Sequence, residues 1–359
     1  MPPTADEQLE AMYRRFTWRI TSNYVPSWEW EQIKKEIEGY ASWCRTWSRW
    51  AEAHRRRGDE AWAAGSTQTA GEAYLRAALY YHWASFLFVH DSGQFRAALE
   101  EMAKCWAMAA PCVEPPMEII DVSFEGATLP GYLRVPRGGS RPPLVLLLPG
   151  ADSTKEELYD LGEHIVRRGL AVAAFDGPGH GLVSFDLKLR PDYEVPIAAM
   201  LDRLVAREDI DAQRVAVGGI SYGGLFACRA AAHDDRVKAV LSMSSWYTPA
   251  GRYATMDTLS RTGLRQYMGE DPAAVQDAMT LAGVADRITV PLLQVYGGQD
   301  PASPPSHAER VAAEVNGPAT TVVFEEGVHV CNNVWYKARP LVADWLAEQL
   351  GATPRRGGA

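Results

Sequence analysis

The sequence predicts an α/β fold, with a mostly parallel sheet flanked by helices and an all-helical domain ahead of it. From about residue 113 onward, short apolar runs bounded by glycine and proline alternate with amphipathic stretches of helical length. Nine of the twelve tryptophans lie before residue 110, where helical patterns prevail and β-branched runs are almost absent. We therefore expect a helical domain over residues 1–112, an α/β domain over 113–351 and a flexible tail over 352–359.

The N-terminal region predicts about four or five helices. The string "EAYLRAALYYHWASFLFVH" has helical spacing, and we expect breaks at Pro26, at Gly58 and in the Ser/Thr/Gly stretch 65–71. The segment "APCVEPP", which ends at Pro116, closes the region. Most of the aromatic side chains are expected to fill this domain's own core, including Trp43, Trp47 and Trp50.

The later region predicts an eight-stranded sheet. The predicted strands lie near residues 118–125, 129–136, 143–149, 171–176, 215–220, 239–244, 291–297 and 320–325. The first two are interpreted as an antiparallel hairpin. The others follow the strand–helix alternation of a mostly parallel sheet, and runs such as "LVLLL" and "VAVGG" are apolar on both faces. In such sheets, ligands bind and chemistry occurs at the carboxyl ends of the strands.

Charge and composition narrow the class of partner. The formal charge of -9 is spread along the 359 residues, which argues against a nucleic-acid face or an anionic membrane patch and favours a small-molecule partner. The start "MPPTADEQLE" lacks the basic and apolar regions of a signal peptide, so we expect a cytoplasmic protein. The five cysteines are scattered without zinc-site spacing, which argues against metal binding through thiolates. No metal and no cofactor is expected.

The string "VGGISYGGLF" places Ser221 between two pairs of glycines at the end of an apolar run. Glycines two residues before and after a serine allow a sharp turn from a buried strand into a helix, which lifts the hydroxyl above the sheet. A serine hydroxyl is a poor nucleophile near neutral pH, so it needs a neighbouring base, an acid that orients the base, and donors for the oxyanion.

Candidates for the acid and the base follow later strands. Asp300 in "VYGGQDPASP" is the expected acid, with Glu325 and Glu326 as weaker rivals, and His329 in "EEGVHVCNN" is the expected base. The order serine, acid and histidine after the fifth, seventh and eighth strands is that of the α/β-hydrolase fold. His180 in "FDGPGHG" is a further candidate near the site, although histidines in such turns are often structural.

Two backbone amides are expected to bind the oxyanion. The first is the amide of Tyr222, directly after the nucleophile at the start of a helix, where the dipole also favours negative charge. The second is expected from the loop "LLPGADS", with Ala151 favoured and Asp152 as the alternative. Pro149 and Gly150 would form the turn that aims this amide.

These strings resemble a known family. "LLLPGADSTKEE", "AFDGPGHG", "GGISYGG", "GGQDP" and "GVHVCNN", with the N-terminal "AALYYHWA", are similar to the 2,6-dihydroxypseudooxynicotine hydrolase group of α/β-hydrolases. The group is related to fungal enzymes that shorten polyketide chains and to esterase-like lyases that eliminate acetate. The resemblance implies Ser221, Asp300 and His329 as the catalytic triad, the helical domain as a lid, and a homodimer. The nicotine-pathway enzyme of the group uses an additional acid after the sixth strand, and this sequence departs from that pattern, because "SMSSWYTPAGRYATMD" has no carboxylate before Asp257.

The predicted function is therefore cleavage of an acyl ester, such as an acetyl ester, or of an activated ketone C–C bond in a small secondary metabolite such as a polyketide. An esterase-like lyase that eliminates acetate without consuming water is the first alternative, and a non-catalytic binding protein on the same fold is the second. The residues expected to line the substrate pocket are Tyr80, Tyr81, His82, Asp152, His180, Trp246 and Tyr247.

Overall fold

The structure, a computed structural model, describes residues 5–138 and 141–352. Contacts divide the chain into two compact units, Met1–Pro116 and Met117–Ala359, which we call the helical domain and the α/β domain. The boundary predicted from the sequence, after residue 112, lies four residues earlier, at the end of the short 3-10 turn Ala110–Cys112 that follows α5. Residues 353–359 of the expected tail lie outside the described residues.

The helical domain contains five α-helices among the described residues. They are α1 (Ala5–Thr21), α2 (Ser27–Glu36), α3 (Trp43–Ala63), α4 (Thr67–Ser85) and α5 (Ser92–Ala109). Helix α4 is buried from Tyr74 to its end apart from a partly exposed Arg76, so it is the centre of this domain and packs against both α3 and α5. A helix buried on every side needs apolar or small residues all round, which its alanines and aromatics provide.

Buried tryptophans are among the largest side chains in the domain's core. The ring of Trp30 stacks on that of Trp47 at 5.6 Å, and the Trp43 Nε1–H donates to the carbonyl of Trp83 at 2.7 Å. The core positions expected for Trp43 and Trp47 are confirmed. The expectation for Trp50 is wrong, because its ring is partly exposed and its Nε1–H donates to Glu36 at the surface.

The predicted helix break at Gly58 is also wrong. Gly58 lies buried inside α3, where a Cβ atom would approach a ring carbon of Tyr74 to 2.4 Å. The glycine is there because α3 and α4 approach closely, and hydrogen bonds along α3 outweigh its low helix propensity. The break expected around residues 65–71 spans only residues 64–66, and Pro26 precedes α2 as expected.

Replacing a glycine inside a helix by alanine usually stabilises a protein, but the close packing at Gly58 should make this replacement destabilising. Gly58→Ala should lower the free energy of unfolding by about 1–3 kcal/mol, because the added methyl group must displace the Tyr74 ring. The matched control is Gly93→Ala near the start of α5, where the nearest atom to a new Cβ lies at 3.4 Å and no loss is expected. Urea unfolding of both variants measures the difference. Equal stability of the two would contradict the close-packing explanation.

The strands of the α/β domain form one eight-stranded sheet among the described residues, as predicted. Their bounds are β1 (Met117–Phe124), β2 (Ala127–Arg134), β3 (Pro143–Leu148), β4 (Ala171–Phe175), β5 (Asp211–Ile220), β6 (Val237–Met243), β7 (Leu292–Gly297) and β8 (Ala319–Phe324). Their order across the sheet is β1-β2-β4-β3-β5-β6-β7-β8. Strands β1 and β2 form an antiparallel hairpin, β2 pairs antiparallel with β4, and all other pairs are parallel.

Helices cover the sheet between the later strands. They are α6 (Tyr159–Val166), α7 (Glu194–Val205), α8 (Tyr222–His233), α9 (Arg252–Thr255), α10 (Thr258–Met268), α11 (Pro272–Ala278), α12 (Ser306–Glu314) and α13 (Trp335–Gln349). Every residue of β3 and β4 is buried, as in parallel strands that have helices on both faces. Strands β5, β6, β7 and β8 run side by side in one direction, so their carboxyl ends meet at one edge of the sheet.

None of the helices in the described parts of the chain is both long and apolar enough to cross a bilayer.

Candidate active site

The turn between β5 and α8 holds Ser221 in a strained backbone conformation. Its φ of 57° and ψ of -122° are rare for a residue with a side chain, and its amide donates to the carbonyl of Met243 at 2.8 Å. The chain can turn this sharply because Gly219 and Gly223 nearly touch: a Cβ atom at residue 219 would lie 2.2 Å from the carbonyl carbon of residue 223. The result is the serine elbow that the string "GGISYGG" predicted.

The three residues of the predicted triad are brought together by the sheet. His329 Nε2 lies 3.1 Å from Ser221 Oγ, and His329 Nδ1 lies 2.6 Å from Asp300 Oδ2. With Nδ1–H donating to the carboxylate, Nε2 is left to accept the serine proton. The His329 side chain is 32% exposed, so a substrate can reach it, whereas the Asp300 side chain is fully buried.

The environment of Asp300 keeps it ionised. Burial would raise the pKa of its carboxyl group, but the adjacent His329 and hydrogen bonds outweigh burial and hold that pKa below its ordinary value. The hydrogen bonds to Oδ1 come from the amides of Ala302 at 2.8 Å and Ser303 at 3.2 Å. The two rival acids are elsewhere: Glu325 is exposed, and Glu326 pairs with Lys337 at the surface.

The expected oxyanion donors lie beside the serine. Among the residues that the structure describes, the amides of Ala151 and Tyr222 have no hydrogen-bond acceptor. The loop after β3 passes close to the nucleophile, since a Cβ atom at Gly150 would lie 3.2 Å from Ser221 Cβ. Two unpaired amides next to a serine hydroxyl are suited to bind a developing negative charge.

A buried ionic network that the sequence analysis missed lies behind this loop. Lys155 Nζ contacts Glu156 Oε1 at 2.6 Å and Asp176 Oδ2 at 2.8 Å, and the Lys155 amide donates to Asp176 Oδ1 at 2.7 Å. Burial alone would lower the pKa of Lys155, but the two carboxylates outweigh it and raise that pKa above its ordinary value. The network ties the loop after β3 to the end of β4. The charged run "STKEE" directly after a buried strand was the signal for it.

His180 is buried beneath the site and stays neutral. Its Nδ1 lies 2.9 Å from the hydroxyl of Tyr193, and burial lowers the pKa of the imidazole to about 4. These contacts are those of a structural histidine.

The side chains of Trp246 and Tyr247, the two aromatic pocket candidates after β6, have different contacts. The ring of Trp246 lies 4.7 Å from that of Tyr222 and 6.1 Å from that of His329, so it borders the candidate active site. Tyr247 turns away from it: its hydroxyl donates to Glu314 at 2.8 Å, and the Arg310 guanidinium lies 3.8 Å from its ring centre. The expectation that Tyr247 lines the pocket is therefore not supported.

The candidates from the helical domain have partners within that domain. The hydroxyl of Tyr80 donates to Glu29, whose carboxylate also contacts His54, and the hydroxyl of Tyr81 lies 3.4 Å from Glu52. His82 is buried, with its ring 4.8 Å from that of Trp83. These hydrogen bonds and ring contacts within the helical domain are those of core residues.

Two acids complete the predicted set. Asp152 is partly exposed in the loop directly after Ala151. Asp257, the first carboxylate after β6, caps helix α10: its Oδ1 accepts from the Ser260 amide and its Oδ2 from the Ser260 hydroxyl, each at 2.8 Å. Its geometry is that of a helix cap.

Comparison with protein families agrees with this geometry. The model of the family described as "Esterase FrsA-like" matches residues 28–249, and that of the prolyl oligopeptidase family matches residues 164–353. Each match spans more than half of the chain. The protein therefore belongs to the FrsA-like esterase and prolyl oligopeptidase families. It is an enzyme of the hydrolase type with an α/β-hydrolase fold, as predicted.

Individual relatives support the predicted resemblance. The 2,6-dihydropseudooxynicotine hydrolase of Paenarthrobacter nicotinovorans is 29% identical over 316 residues, which are 87% of this chain and 85% of that protein. A crystal structure of the 2,6-dihydroxy-pseudo-oxynicotine hydrolase superposes with a TM-score of 0.84 at 28% identity, covering 93% of this chain and 95% of the other. The α/β-hydrolase xenA of Xenoacremonium sinensis is 37% identical over 58% of this chain, and that match spans 52% of xenA. The resemblance is thus confirmed.

The two aspartates should respond differently to the same substitution. Asp300→Asn should slow covalent labelling of the enzyme by a fluorophosphonate about 10²- to 10⁴-fold, because the amide favours the wrong histidine tautomer. Asp257→Asn, the matched control, should label within about twofold of the parent, because asparagine caps a helix as well as aspartate does. A large loss for Asp257→Asn with normal folding would instead identify Asp257 as a catalytic acid.

Proposed function

We propose that the protein is a serine hydrolase that releases an acyl group from a small secondary metabolite such as a polyketide. The observation that carries the proposal is the hydrogen-bonded series from Asp300 through His329 to Ser221 on a strained elbow. A binding protein has no need of this arrangement, because strain and a buried carboxylate cost stability without improving affinity.

In the proposed reaction, His329 Nε2 takes the proton of Ser221 as the hydroxyl attacks the substrate carbonyl. The amides of Tyr222 and Ala151 bind the oxyanion of the tetrahedral intermediate. Collapse of the intermediate breaks the bond to the leaving group, which receives the proton from His329, and leaves an acyl-serine. Water, deprotonated by His329, then attacks the acyl-serine, so that the carboxylic acid leaves and Ser221 regains its proton.

Ester cleavage is the form of this reaction that the site supports best. An alkoxide leaving group needs only the proton that His329 carries, whereas a carbanion leaving group needs an electron sink in the substrate and gains from a further acid. Asp257 caps the start of α10, and Glu325 and Glu326 are exposed. None of these three acids is therefore an obvious further acid for the reaction. The lid role of the helical domain, the homodimer and the cytoplasmic location remain predictions.

A fluorophosphonate tests for an activated serine without the natural substrate. The parent enzyme should gain one phosphonyl group as fluoride leaves, and Ser221→Ala should gain none, as measured by intact mass. The control is Ser245→Ala, a buried serine whose hydroxyl has no hydrogen-bond partner among the described residues and which should label like the parent. A folded parent that resists labelling would contradict the proposal and favour the binding-protein alternative.

Heavy-oxygen water distinguishes hydrolysis from elimination. With acetylated metabolites as substrates, hydrolysis should place one solvent oxygen in the released acetate, because water attacks the acyl-serine carbonyl. Elimination of acetate breaks the alkyl C–O bond and takes up no solvent oxygen. Mass spectrometry of acetate from the parent enzyme, with Ser221→Ala as a blank, decides between these two reactions.

A further inference from the structure

The three residues that follow β6, residues 244–246, contact both loops that carry the other triad members. We call them the β6 bracket. Ser244 and Ser245 are buried, and the amide of Ser244 donates to the carbonyl of Val295 in β7 at 2.8 Å. The bracket is therefore fixed to the sheet at the edge where the triad assembles. Its role follows from its contacts on two sides.

On the histidine side, the β6 bracket bonds to a backbone segment that has an unfavourable conformation. Val330 and Cys331, directly after His329, have φ angles of 59° and 55°, in the left-handed region that β-branched residues avoid. The amide of Val330 donates to the hydroxyl oxygen of Ser244 at 2.8 Å. The two residues lie 86 positions apart in the chain, so only the fold brings them together. This bond fixes the residue next to the catalytic imidazole.

On the acid side, two residues of the β6 bracket form hydrogen bonds with the loop that follows Asp300. The carbonyl of Ser245 accepts from the hydroxyl of Ser303, and the Nε1–H of Trp246 donates to the carbonyl of Ala302 at 2.9 Å. Ala302 and Ser303 are the residues whose amides donate to Asp300 Oδ1. The bracket thus holds the peptide groups that orient the carboxylate.

We propose that Ser244 is a positioning residue for the base: its hydroxyl holds Val330 in the left-handed conformation and so keeps His329 in line with Ser221 and Asp300. The inference rests on the proposed function, because positioning matters only if His329 is the base. Ser244 acts through Val330 and does not itself contact the serine hydroxyl or the substrate.

Ser244→Ala tests the inference against a closely matched control. Losing the hydroxyl leaves the Val330 amide without its acceptor, so His329 should leave its reactive orientation for much of the time. We expect the maximal rate of fluorophosphonate labelling to fall tenfold or more, with the half-saturating reagent concentration unchanged. Ser245→Ala keeps the backbone carbonyl that accepts from Ser303 and removes only a buried hydroxyl without a hydrogen-bond partner among the described residues, so it should label at the parent rate.

A spectroscopic readout separates positioning from general loss of stability. The proton on His329 Nδ1, shared with Asp300, should give a far-downfield NMR signal in the parent and in Ser245→Ala. In Ser244→Ala the signal should broaden or disappear at a temperature well below unfolding. An unchanged signal together with labelling at the parent rate would overturn the inference.

A double-mutant cycle tests the route through Val330. If Ser244→Ala folds poorly, Val330→Gly is compared with the double variant alone, and a loss of tenfold or more in that comparison would overturn the inference. Glycine adopts the left-handed conformation readily, so Val330→Gly should reduce the loss caused by Ser244→Ala to about twofold. An equal loss in both backgrounds would show that Ser244 acts elsewhere and would overturn the inference. A parent enzyme that does not label would remove the proposed function and the inference with it, whereas normal labelling of Ser244→Ala removes the inference alone.

Discussion

The backbone of Ser221 is the constraint on which the rest of the site depends. A residue with a side chain at φ 57° and ψ -122° costs about 1–3 kcal/mol, which must be offset by surrounding contacts. The offset comes from the close approach of Gly219 and Gly223 and from the bond between the Ser221 amide and the Met243 carbonyl. The same turn places Ser221 at the edge of the sheet where β5 ends, directly ahead of α8.

The sheet supplies the other groups because its strands are parallel. Strands β5, β7 and β8 end at the same edge, and the loops that follow them carry the serine, the acid and the histidine. Strand β6 lies between β5 and β7, so the residues that follow it reach both neighbouring loops. The position of the β6 bracket is thus a consequence of strand order.

Three buried groups near the site hold one charge state near neutral pH. The carboxylate of Asp300 is kept ionised by His329 and two amides, although burial opposes this. Burial keeps His180 neutral, since its pKa is lowered to about 4. The ammonium group of Lys155 is retained between two carboxylates. These fixed charge states leave the hydrogen bonds that hold the loops unchanged near neutral pH.

The sequence by itself determined the fold class, the strand positions and which residues form the serine, acid and histidine series, because these depend on local patterns: apolar runs, glycine pairs and chain order. Only the tertiary structure decided the directions of individual side chains. Tyr80 and Tyr247 carry the same aromatic signal as Trp246, yet the first two bond to Glu29 and Glu314 while Trp246 borders the site. The local sequence around Gly58 predicts a helix break, but in the structure Gly58 allows two helices to pack closely.

The hydrogen bond from Val330 to Ser244 joins residues 86 positions apart, and no local pattern encodes it. Periodicity and propensity describe neighbours in the chain, whereas this contact exists only where parallel strands end side by side.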